Sequence, residues 1–184
     1  MPGPAFLVGE RVALHTVEEA DEAFLHEHRN RARFRDPMGE FAPLTAEDVT
    51  AYRSEVVRGD DGVTLLICVD GDPVGLCFLF DEDPRRGVAE VGYWLVPDAE
   101  GHGYATAAVR LLCGYAFDER ALHRITARVY EGNDASSRLL ERVGFTQEGR
   151  LREDSVRDGR RRDTLRYGLL AHEWTATDDP TGEG

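Results

Sequence analysis

The chain has 184 residues, is 41% hydrophobic and carries a formal net charge of −13, and all 22 of its basic residues are arginine. That length suits one domain with a sizeable core. No run of ~18 apolar residues is present to cross a bilayer, and so acidic a surface repels nucleic acid and anionic membranes while attracting cationic amines. The acid-rich, lysine-free composition also suits high salt. Met1 to Ala5 has neither a basic n-region nor an apolar h-region, so no leader peptide is expected. Cys68, Cys77 and Cys113 lie far apart, each in an apolar segment and without metal-ligand spacing. Buried thiols in a reducing cytoplasm, and no metal, are expected.

Short apolar runs alternate with helical patterns, which predicts an α+β chain. Phe6–Leu14 reads as the first strand. Thr16 to Glu19 resembles a capping box and opens a helix to about Arg33. After a polar, proline-containing connection, Thr45 to Asp48 opens a second helix to about Arg58. Val63–Val69 and Val74–Phe80 are strands joined by a turn at Asp70 to Pro73. Asp81–Gly87 reads as a charged loop and Val88–Leu95 as a buried strand. Val109, Leu112, Cys113, Ala116 and Phe117 form the stripe of a third helix. Ile125–Val129 is a strand. Asn133–Val143 is a helix stopped by Gly144. Phe145–Arg152 and Arg162–Leu170 form a last hairpin around Asp158 and Gly159. With no repeat and no linker, residues 1–174 read as one domain and 175–184 as a disordered polar tail.

The junction after the Val88 strand is the most informative segment. Gly101 and Gly103 lie where a strand gives way to a helix. Glycines there let backbone N–H groups approach an anion, and the helix start adds its positive dipole end. The pattern predicts a ligand carrying phosphate.

A second element lies about 30 residues on, where Asn133 and Ser136 open a helix that ends at Gly144-Phe145. With Gly9 to Leu14, Ala89 to Leu95, Gly101 to Thr106, Asp163 to Leu170 and Glu173-Trp174, the order and spacing resemble the GNAT superfamily of N-acetyltransferases. The closer resemblance is to the RimJ/RimL type, which acetylates N-termini of ribosomal proteins. It implies a mixed, mostly antiparallel sheet flanked by helices, in which the fourth and fifth strands, Val88–Leu95 and Ile125–Val129, splay apart. It also implies acetyl-CoA as co-substrate. The pantetheine arm would pair with backbone near Trp94, Leu95 and Val96. The pyrophosphate would lie on Gly101, His102, Gly103, Tyr104, Ala105 and Thr106, and the thioester end would pass Asn133, Ser136 and Ser137. Family members usually carry arginine or glutamine where this chain has Glu100, a carboxylate unfavourable beside a pyrophosphate.

Direct attack by an amine needs a base, an oxyanion donor such as the Leu95 N–H, and stabilisation of the leaving thiolate. Glu90, the one acid in an apolar strand, is the candidate base, with a structural hydrogen bond as the equal alternative. Ser136 is the candidate acid by the resemblance, with helix capping equally open. The tyrosine that many members carry one turn later is Leu140 here. The glutamate base of the ribosomal-protein branch falls at Ser155, with Glu153 and Asp154 beside it. Asp163 and Tyr167 are candidates to line the acceptor cleft. The implied acceptor is the N-terminal α-amine of a protein or peptide. A small amine such as a polyamine or aminoglycoside, or a CoA-binding module without catalysis, are the alternatives. Homodimerisation is left open.

Overall fold

The Phe6–Leu14 run does not form one strand. In this computed structural model, which describes residues 2–32, 34, 42–58, 62–157 and 159–175, it folds into β1 (Ala5–Val8) and β2 (Ala13–Thr16). The two are antiparallel, and the Gly9 N–H donates to Val12 O at 3.0 Å across the reversal. Glu10 and Arg11 break the apolar run, so the chain turns there.

The Thr16–Glu19 helix start also moves. Thr16 ends β2, and the capping box joins Glu18 to Asp21 around a short 3-10 turn. Helix α1 (Glu22–Arg29) then begins; Arg33, the expected end, lies outside the described residues. Thr45 does open α2 (Ala46–Arg58): its hydroxyl accepts from Asp48 N–H at 3.1 Å, while Asp48 Oδ2 accepts from Thr45 N–H at 2.7 Å. Strands β3 (Val63–Val69) and β4 (Asp72–Asp83) meet through a two-residue turn. Asp70 and Gly71 both take positive φ, 52° and 88°. Such a turn matches the twist of a hairpin. Asp81 to Asp83, expected in a loop, continue β4 past an irregularity in the ladder.

Beyond these come β5 (Val88–Leu95), α3 (Tyr104–Asp118), β6 (Arg124–Tyr130), α4 (Asp134–Val143), β7 (Thr146–Arg157) and β8 (Arg160–Leu170). Gly144 ends α4 with φ 116°. The expected α3 stripe, Val109, Leu112, Cys113, Ala116 and Phe117, is buried. Asp158 and residues 176–184, the expected hairpin turn and tail, lie outside the described residues.

Among the described residues, eight strands join one sheet in the order β1-β2-β3-β4-β5-β6-β8-β7, and only β5 and β6 run parallel. These two pair at Val88/Arg124, Ala89/Ile125 and Glu90/Thr126 and no further. Val91–Leu95 and Ala127–Tyr130 then diverge, so the sheet opens as the family resemblance implies. Side chains alternate across a strand. One face therefore carries Leu65, Ile67, Cys77, Val91, Ile125 and Leu169 against α3 and α4, in the main core. The other carries Leu66, Cys68, Leu76 and Trp94 against Leu25 of α1 and Val49 of α2.

Candidate active site

The direction of backbone groups decides what the opening offers. The Val96 N–H donates to Val74 O at 2.8 Å. Residues two apart in an antiparallel ladder point their backbone groups the same way. With Leu76 opposite Trp94 and Gly75 opposite Leu95, Trp94 and Val96 turn their N–H groups to β4. Tyr93 and Leu95 turn theirs to the opening. Of the three residues expected to pair with a pantetheine arm, Leu95 presents its N–H there. The Val96 N–H is already committed, which corrects that part of the expectation. Trp94 instead contributes its ring to the opposite face.

The glycine loop has the backbone that an anion site needs. Gly101 and Gly103 adopt φ of 78° and 77°. Gly103 is the N-cap of α3 and supplies no side-chain cap. The helix's first turn closes by Ala107 N–H to Gly103 O at 3.0 Å. Helix geometry leaves the N–H groups of Tyr104, Ala105 and Thr106 without helical partners. A side chain at Gly101 would meet open space; one at Gly103 would meet Arg11 Nη1 at 3.1 Å. Arg11, in the turn after β1, also donates to His102 O at 2.7 Å. The loop thus has a guanidinium against it, from a distant part of the sequence, although Glu100 replaces the usual arginine or glutamine. His102 is exposed and stacks on Tyr104 with centroids 5.5 Å apart. These features fit a pyrophosphate: open N–H donors, no Cβ in the way, and a cation alongside.

Across the opening, Asn133 caps α4, its Oδ1 accepting from Ser136 N–H at 3.2 Å. Ser137 follows in the same turn, its N–H donating to Asn133 O at 3.2 Å. The Ser136 hydroxyl is not a cap. It lies 2.5 Å from the Tyr93 hydroxyl, which reaches it from β5. Burial pushes the Tyr93 phenol up to about 12, partly offset by the bond to Ser136. Sequence reasoning missed this pair. Strand alternation alone places Tyr93 on the α4 face, but no spacing rule couples it to a serine 43 residues on.

Glu90 lies on the other face at the last paired position before the strands part. It is buried, as expected, but it is not an isolated acid. Its Oε1 accepts from Arg128 Nε at 2.5 Å, and Arg166 Nη1 stands 3.7 Å from its Oε2. Arg128 comes from β6 and also lies over the Phe80 ring at 5.9 Å. The ion pair offsets the cost of burying the carboxylate. Around Trp94 on this face, Phe24, His28 and Phe34 form an aromatic cluster with centroids 4.5–6.1 Å apart. The Trp94 Nε1 and His28 Nδ1 have no hydrogen-bond partner among the described residues.

Other expectations sort cleanly. Tyr167 is 1% exposed within the main core and does not line a cleft. Asp163 is tied up in the β7–β8 hairpin, accepting from Glu153 N–H at 2.9 Å and pairing with Arg150. Its pKa is lowered by these partners, the Glu153 N–H first. Glu153, Asp154 and Ser155 stay on that hairpin. The three cysteines are buried, and burial raises each thiol, Cys68 to about 11. Such thiols are not nucleophiles at neutral pH. Among the described residues no three His, Cys, Asp or Glu side chains cluster to hold a metal, and no helix is long and apolar enough to cross a membrane.

A sheet opened between two parallel strands, with a glycine loop at the adjoining helix start, defines an acyltransferase that draws on a CoA thioester. Residues 11–146 match the family described as "Acetyltransferase (GNAT) domain", and the chain belongs to that family. It is 37% identical over 114 residues to "Putative ribosomal N-acetyltransferase YdaF" of Bacillus subtilis, a match covering 62% of each chain. It is 33% identical over 176 residues to "Uncharacterized N-acetyltransferase p20" of Bacillus licheniformis, covering 91% of this chain and 97% of that one. Its fold superposes with a TM-score of 0.84 on a spermidine N-acetyltransferase from Vibrio cholerae solved with CoA and spermine. That likeness has 22% identity and covers 90% of this chain and 98% of the other. Members of the family use acetyl-CoA as acetyl donor.

Proposed function

We propose that this chain transfers the acetyl group of acetyl-CoA to the N-terminal α-amine of a peptide or protein by direct attack across the β5–β6 opening. The observation that carries the choice of acceptor is the pair of guanidiniums, Arg128 and Arg166, beside Glu90. A polyamine would bring several positive charges against two fixed ones. A peptide N-terminus brings one ammonium, followed by carbonyls that accept from arginine. The similarity to a relative named for ribosomal N-acetylation supports the same reading.

In this reading Gly101 to Thr106 and Arg11 hold the pyrophosphate, and Leu95, Asn133 and Ser137 line the pantetheine path. Glu90 Oε2, through a water, takes the ammonium proton. The free amine then attacks the thioester carbonyl, whose oxygen accepts from the Leu95 N–H. The new N–C bond stays, the nitrogen gives up its remaining extra proton to the water, the C–S bond breaks with its electron pair on sulfur, and the thiolate is protonated from solvent. An α-amine titrates at ~7.7–8.0, against ~10.4 for a lysine, so a modest base suffices near neutral pH. Residues 1–174 act as one catalytic domain, in the cytoplasm.

The net charge of −13 is what favours a small cationic amine instead. Incubation with acetyl-CoA and a mixture of unblocked peptides, read by mass spectrometry, should give N-terminal rather than side-chain acetylation. Thiol release with spermidine but not with peptides would replace the peptide reading by the small-amine one. Silence with both, while CoA still raises the melting temperature, would mark a CoA-binding module without catalysis.

A further inference from the structure

The Tyr93–Ser136 pair is a polar link spanning the two lips of the opening on the α3/α4 face. Tyr93 stands on β5 between Glu90, where the strands part, and Leu95, whose N–H faces the gap. Ser136 stands in the first turn of α4, on the chain that leaves β6. Both are half-buried, and their oxygens lie 2.5 Å apart. Ser136 has one hydroxyl proton. Were it spent on Tyr93, the Ser136 O–H could not face a departing sulfur. With the phenol as donor, the Ser136 proton is free to point into the gap.

We infer that Tyr93 is a positioning residue for the leaving group: its hydroxyl donates to Ser136 Oγ and so aims the Ser136 O–H at the sulfur of bound CoA. The inference rests on CoA lying in the β5–β6 opening, and not on which amine is the acceptor. Burial reinforces the donor role, because a phenol held at about 12 stays protonated at every working pH. The same value argues against full proton transfer. A phenol at about 12 is a far weaker acid than a thiol at ~8.5, so the pair stabilises the thiolate by hydrogen bonding and leaves its protonation to solvent. Tyr167, buried in the main core, is the other titratable group that bears on Tyr93. The arrangement also accounts for the missing family tyrosine at Leu140: here the phenol comes from the strand and acts through a serine.

The direct test is the ionisation of CoA itself, bound to the full chain and followed by thiolate absorbance. In the unaltered protein the bound thiol should titrate about one pH unit below free CoA, the tenfold preference that one hydrogen bond to an anion supplies. Tyr93→Phe and Ser136→Ala should each abolish the shift while CoA still binds and the melting temperature holds. A bound thiol that titrates alike in the unaltered protein and in Tyr93→Phe would overturn the inference. Turnover adds an independent check with whichever acceptor, peptide or spermidine, is acetylated. Tyr93→Phe should lower kcat ~10-fold at constant KM for acetyl-CoA, and should cost nothing more in a Ser136→Ala background. Additive losses, or a wild-type rate for Ser136→Ala alone, would show that Tyr93 does not act through Ser136.

Discussion

The two faces of the opened sheet are built differently. On the α3/α4 face the groups that matter are mostly backbone: the Leu95 N–H, the N–H groups at the start of α3, and two glycines at positive φ. On the α1/α2 face they are side chains brought from distant strands, Glu90 with Arg128 and Arg166, beside an aromatic cluster around Trp94. Backbone geometry suits a cofactor whose shape never changes. Side chains suit an acceptor that sets specificity, because they can be exchanged without disturbing the ladder.

Substitutions on the two faces should therefore fail in different ways. The largest effect is expected at Glu90. Glu90→Gln should lower kcat by ~10², the low end for a positioned base, because part of an α-amine is already unprotonated at neutral pH. The deficit should shrink as pH rises beyond ~8, and CoA-induced stabilisation should be unchanged. A loss of melting temperature with a normal rate per folded molecule would make Glu90 purely structural. Next comes Gly103→Val on the opposite face. A branched residue at φ 77°, already 3.1 Å from Arg11 at its Cβ, carries strain of roughly 1–3 kcal/mol. CoA should bind at least ~10-fold more weakly, read as loss of thermal stabilisation by CoA. Gly101→Ala, with open space at its Cβ, should do less.

These contrasts follow what the sequence made legible. The glycine loop, the α3 stripe, the start of α4 at Asn133 and the Gly144 stop all depend on local spacing, and each appears where the spacing put it. The parting of β5 from β6 came with the family resemblance. Long-range partners were not legible: Arg11 against the loop, Arg128 on Glu90, and Tyr93 on Ser136 are joined by tertiary folding across 38 to 91 positions. Val96 shows the same limit at the scale of one residue. Its N–H direction depends on the register of β4, which no pattern within β5 reveals.

Smaller effects sharpen the same division. Arg11→Ala removes the guanidinium that donates to His102 O. CoA affinity should fall ~3–10-fold, the worth of one hydrogen bond, and the deficit should narrow in high salt, where the phosphate attraction is screened. The kcat at saturating acetyl-CoA should be unaffected. The smallest effect belongs to His28. Desolvation among Phe24, Phe34 and Trp94, and then Arg31, hold its pKa below the ordinary 6.5. The folded state thus prefers neutral imidazole, so the His28 contribution is present above pH 6.5 and is lost as pH falls below it. His28→Phe should flatten that part of the melting temperature–pH curve, and an unchanged slope would place the acid sensitivity elsewhere.

The central claim is that the opening is a passage, with CoA entering from the α3/α4 face and the amine from the face of Glu90. A crystal structure of the protein with CoA tests this most directly. The account predicts pyrophosphate oxygens on the N–H groups of Gly101 to Thr106, pantetheine between β5 and β6, and the sulfur in hydrogen-bonding reach of Ser136 Oγ. A CoA whose sulfur lies on the Trp94 face, or whose phosphates avoid the glycine loop, would contradict it.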